Sequence, residues 1–101
     1  MFAYQVMYDN EFPDFPYIKE LQERAIYLKS LGGKEEYDPG SCRVIVNLTF
    51  PTRDNSKATL AAETDRLKKT SADPALTADD RWRLSVHMRL CHDMLQFFYT
   101  Q

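Results

Sequence analysis

The sequence predicts an α/β or α+β fold, a small β-α-β-α-α domain whose short sheet is covered by helices. Three observations predict it. Apolar and polar residues alternate over residues 2–8 and again over 42–50, apolar stripes recur at helical spacing over 16–31 and 77–98, and proline or glycine separates the runs. At 101 residues the chain fits one domain, residues 1–101, and is too short for two independent cores.

Phe2, Tyr4, Val6 and Tyr8 alternate with Ala3, Gln5 and Met7, the period of a half-buried strand. The following Glu11-Phe12-Pro13-Asp14-Phe15-Pro16 holds two prolines and predicts an ordered turn with packed aromatics. Pro16 suits the first turn of a helix, Ile18, Leu21, Ala25, Leu28 and Leu31 supply its stripe, and Gly32-Gly33 its stop. Residues 34–40 read as a polar loop with a Pro-Gly turn. Cys42, Val44, Val46, Leu48 and Phe50 then mark a second strand, closed by Pro51.

Residues 57–69 are rich in alanine and leucine and predict a helix capped near Asp54, Asn55 or Ser56. The alternation of Ala58, Leu60 and Ala62 leaves a hairpin with the preceding strand as the alternative. Thr77 followed by Asp80 resembles a capping box ahead of the last helix. There Leu84, Met88, Cys91, Leu95 and Phe98 form the main apolar line, with Leu84, Met88 and Leu95 expected in the core. Val86, Leu90, Met94 and Phe97 widen the arc beyond half the circumference.

The net charge of −2 lacks the basic excess that phosphate-backbone binding requires, so nucleic acid is not the expected partner. Charge is unevenly spread: residues 1–50 carry five basic against eight acidic side chains, residues 51–101 eight against seven. The opening Met1-Phe2-Ala3-Tyr4-Gln5 has no positive region leading into an apolar run, and no apolar stretch approaches the roughly 20 residues that span a bilayer. A cytoplasmic location, no membrane partner and reduced thiols at Cys42 and Cys91 are therefore expected, with both cysteines facing the interior.

Several groups are candidates for chemistry. His87 and Cys91, four apart on a helix, face one way and could share a metal ion, but His92 points about 100° from Cys91. The same pair could serve as nucleophile and base, yet Asp93 falls on the opposite side of the helix from His87, and no oxyanion-hole sequence accompanies it. A buried cysteine beside a hydrogen-bonded histidine explains the pair as well. Gly32-Gly33-Lys34 follows a helix instead of opening one, unlike a phosphate loop. Arg81, Trp82 and Arg83, with the basic face of Arg66, Lys68 and Lys69, could contact phosphates or bases. Trp and Arg are also typical anchors of protein interfaces, and Asp79 and Asp80 could neutralise the arginines.

Two features point to a protein partner. Two strands alone leave unsatisfied sheet edges, and the last helix carries more apolar surface than one layer covers. The sequence thus predicts a non-enzymatic protein-binding module without a cofactor, a small regulator or inhibitor of a larger complex. A phage-type anti-defence inhibitor is one concrete form that no residue singles out. The partner would be a larger target or a second copy, with homodimerisation through the last helix the simplest case. Trp82, Arg81, Arg83, Leu90, Phe97, Phe12 and Asp14 are the candidate contact residues. The alternatives are a small enzyme or metal-dependent protein using His87 and Cys91, and a nucleic-acid-binding module using Arg81, Trp82 and Arg83. No segment resembles a known family.

Overall fold

A computed structural model describes residues 2–9, 16–38, 40 and 43–99. In chain order the elements are β1 (Phe2–Asp9), α1 (Pro16–Ser30), β2 (Lys34–Asp38), β3 (Arg43–Phe50), α2 (Arg53–Ser71) and α3 (Ala78–Tyr99). The fold is α+β, with a three-stranded antiparallel sheet in the order β1-β3-β2 and three helices. Contacts concentrate in two compact units: Met1–Thr49 holds α1 and nearly all of the sheet, and Phe50–Gln101 holds α2 and α3.

Strands β1 and β3 are neighbours in an antiparallel sheet, although α1 lies between them in the chain. The segment read as a polar loop forms β2, which adds a chain reversal before β3. Strand β2 pairs antiparallel with β3 in the register Lys34↔Asn47, Glu35↔Val46, Glu36↔Ile45, Tyr37↔Val44 and Asp38↔Arg43. Lys, Glu and Asp are depleted in strands, so β2 owes its conformation to the partner it lies beside, not to its own propensity. Strand β3 has the clean alternation of a one-sided sheet: Val44, Val46, Leu48 and Phe50 are buried, while Arg43 and Thr49 are exposed and Ile45 and Asn47 half-buried.

In the first unit α1 packs against β1, and the core draws on Val6, Ala25, Tyr27, Leu28, Val44, Val46 and Leu48. The helix stops as its two glycines require. Gly33 N donates to Leu28 O (2.7 Å) and Gly32 N to Lys29 O (3.1 Å), the paired closing bonds of a Schellman motif. Gly32 takes a left-handed φ of 104°, and a Cβ on Gly33 would lie 2.7 Å from the Leu28 carbonyl oxygen.

In the second unit α2 begins earlier than expected. Thr52, held extended after Pro51, is the cap, and its Oγ1 accepts from Asn55 N at 3.0 Å. Arg53-Asp54-Asn55-Ser56 is accordingly the first turn of a helix, and the hairpin alternative does not form. Ser56, Leu60 and Leu67 are its buried line, falling within roughly 40° of arc at about 100° per residue. Ser56 fits there because its Oγ donates to Arg53 O (2.7 Å). Asp73 Oδ1 accepts from Ala75 N (2.9 Å) in the connection, and Thr77 Oγ1 accepts from Asp80 N (3.1 Å) to cap α3.

Helices α2 and α3 pack together. On α3 the buried residues are Val86, Leu90, Cys91 and Met94, whereas Leu84, Met88 and Leu95, expected in the core, are only half-buried. Two apolar lines overlap on this helix, and the i,i+4 line through Leu90 is the one turned inward. Leu90→Ala is therefore expected to cost about 2–5 kcal/mol of unfolding free energy, and Leu84→Ala clearly less. Denaturant titration of the two variants side by side checks this, and equal losses would contradict the assigned face. Gly32→Ala should cost about 1–2 kcal/mol through its left-handed backbone, read in the same titration.

Candidate functional site

The residues nominated from the sequence do not assemble into one surface. Arg81 and Arg83 are exposed at the start of α3 and Trp82 between them is half-buried. Arg81 Nη2 donates to Asp73 O (3.4 Å), and Arg83 Nη2 pairs with Asp79 Oδ2 (3.0 Å). Leu90 has 0 % exposure and belongs to the core, which removes it from any open face. Phe12 and Asp14 lie outside the described residues, as does the side chain of Phe97. On the basic face Arg66 is matched by Glu63, donating from Nε to Oε1 (3.1 Å) and from Nη2 to Oε2 (2.8 Å).

Cys91 is fully buried and His87 half-buried. Among the described residues no group of three or more His, Cys, Asp or Glu side chains is arranged to hold a metal ion. Cys42 lies outside the described residues. No helix among the described residues is long and apolar enough to cross a membrane.

Among the described residues, the large hydrophobic side chains that remain exposed are not on the last helix. Among the described residues the large exposed hydrophobics are Met7 (50 %), Tyr17 (65 %), Ile26 (58 %) and Tyr37 (56 %), all within the first unit. Met7 and Tyr17 belong to one groove of about 350 Å³ where the end of β1 meets the start of α1. Tyr8, Ile18 and Leu21 complete its apolar wall, and Asp9 and Arg43 give its rim both signs of charge. A second cleft, of about 160 Å³, lies in the other unit beside Leu76, Leu84 and Met88.

Strand β1 forms one border of the sheet, with β3 as its neighbour. Exposed edges are normally guarded by charged side chains, proline or a bulge. The opposite border is guarded in this way: β2 carries Lys34, Glu35, Glu36 and Asp38 within five residues. Strand β1 carries no charge from Phe2 through Tyr8, and no proline or glycine. Its side chains split into two rows. Val6 is buried and Tyr4 and Tyr8 half-buried on one face, while Ala3, Gln5 and Met7 are exposed on the other. Gln5 Nε2 donates to Asn47 Oδ1 (2.7 Å), which ties the exposed row to the polar face of β3.

Burial pushes the Tyr8 phenol above its ordinary 10.0, nearby Glu35 raises it further, and Lys29 opposes both. Lys29 Nζ in turn donates to Glu35 Oε2 (2.9 Å), and that bond raises the ammonium pKa. This contrast between borders is not legible in the sequence, because Lys34–Asp38, which guards one of them, has the composition of a polar loop.

No family model matches the chain, and neither a curated protein nor a solved structure matches it.

Two measurements follow from the burial. Cys91 should react with a thiol reagent far more slowly in the native protein than in denaturant, read in a Cys42→Ser background; fast native labelling would place it at the surface. A difference titration of wild type against Tyr8→Phe should show the Tyr8 phenol ionising above pH 10. Because the folded pKa is raised, its contribution to stability is complete below pH 10 and is lost as pH rises through the folded value.

Proposed function

We propose that the chain is a non-enzymatic protein-binding module, a small regulator or inhibitor of a larger protein complex, that receives an extended segment of its partner alongside β1. The observation that supports this reading is the border made by β1, which carries no charge, proline or glycine from Phe2 through Tyr8, set against the charged border made by β2. In strand addition the main chain supplies affinity through ladder hydrogen bonds, and alternate side chains supply selectivity. Strand β1 has both parts. Its eight residues run to about 27 Å at about 3.4 Å each, and the groove at its end offers an apolar recess beside Met7 and Tyr17.

The alternatives draw less support. A nucleophile or metal ligand must reach its target, and Cys91 is fully buried. A phosphate contact needs an available cation, and Arg83 and Arg66 already pair with Asp79 and Glu63.

Affinity capture from the native cell lysate tests the reading when wild type is compared with the Ala3→Lys/Met7→Lys variant. Both substitutions lie on the exposed row of β1, and lysine on an edge strand deters pairing. The expected result is a protein retained by wild type and reduced at least tenfold on the variant. Equal retention by both, or none by either, counts against it.

A further inference from the structure

The border strand has a property beyond its lack of charge from Phe2 through Tyr8: it is complementary to itself. When two copies of one strand pair antiparallel about a two-fold axis perpendicular to the sheet, opposed residue numbers add to a constant even sum and opposed side chains share a face. Centred on Gln5, β1 would set Tyr4 against Val6 on the face that carries buried Val6. Ala3 would meet Met7, and Gln5 would meet Gln5, on the exposed face. Aromatic and β-branched cross-strand pairs are favourable, and like charges directly opposed are not. No charged side chain enters any of these pairs.

The same operation on β2, centred on Glu36, would oppose Glu36 to Glu36 at the axis. The two borders of the sheet therefore differ toward a second copy: the pairs about Gln5 carry no charge, whereas the β2 pairing sets like charges at its axis. Half-exposed Met7 lies on β1 and would be covered by Ala3 of the copy.

We infer that the occupant of the β1 border is a second copy of this chain, paired antiparallel about Gln5 so that two three-stranded sheets join into one. The inference rests on the protein-binding reading above and names the partner of the same strand. It replaces the last helix as the dimer contact, because α3 turns Val86, Leu90, Cys91 and Met94 inward.

Residue 5 facing itself makes a specific test possible with the full chain. Gln5→Lys and Gln5→Glu each place like charges across the axis, and mixing them places opposite charges there. Sedimentation equilibrium over a wide concentration range should show wild type as a dimer, each variant at least tenfold weaker in self-association, and the equimolar mixture restored to a dimer. Circular dichroism and the denaturation midpoint confirm that both variants fold, since Gln5 is exposed. In a Cys42→Ser background, a short bismaleimide should join two Gln5→Cys chains and leave Thr49→Cys chains on neighbouring β3 unjoined.

A wild-type chain that stays monomeric at every soluble concentration overturns the inference. So do variants that dimerise as wild type does, or a mixture that gains nothing. A monomer that still loses its captured protein on Ala3→Lys/Met7→Lys overturns the second copy as occupant while the protein-binding reading stands. A dimer restored by mixing that captures no other protein supports the inference and overturns the larger target.

Discussion

Strand β3 is the constraint on which the sheet depends. It is the central strand, flanked by β1 on one side and β2 on the other, and its buried row of Val44, Val46, Leu48 and Phe50 fixes which way every neighbour must face. A slip of one residue would move that whole row to the opposite face, so register is strongly specified wherever β3 takes part. The consequence reaches segments with little structure of their own. Lys34–Asp38 is a strand because β3 offers it a ladder, and Gln5 is held to the polar face through Asn47.

Short-range chemistry sets where the elements end. The glycine pair closes α1 through two backbone bonds to Leu28 and Lys29, which turns the chain at once into β2. Thr52 and Thr77 perform the same service at the starts of α2 and α3, each hydroxyl accepting from the amide three residues on. These devices satisfy donors and acceptors that a helix leaves open at its termini, so each costs the chain no buried polar group. Hydroxyls inside α2 are handled likewise, Ser56 donating to Arg53 O and Thr64 to Leu60 O.

Charge placement connects the fold to the proposed function. Three helix arginines are drawn into local pairs: Arg24 with Glu20, Arg66 with Glu63 and Arg83 with Asp79, each within one turn. Exposed pairs of this kind contribute little to stability. Strand β2 has four charged residues in five, and β1 has none from Phe2 through Tyr8. A sheet whose two borders differ in this way can add a strand on one side without polymerising from the other, which is the behaviour a closed complex needs.

The sequence by itself determined the element types wherever periodicity was strong and punctuated. Residues 2–8, 16–31, 42–50 and 77–98 lie within about two residues of β1, α1, β3 and α3, because alternation, i,i+4 stripes and Gly or Thr caps are local signals. Tertiary structure decided three further matters. Strand β2 was illegible because Lys-Glu-Glu-Tyr-Asp has no strand preference apart from its partner. The inward face of α3 was illegible because two apolar lines overlap there, and packing chose the one through Val86, Leu90 and Met94. The candidate site was illegible for the same reason as β2: which strand lies at a border, and with what guard, is a property of strand order, which pairing across the sheet decides and composition along the chain does not.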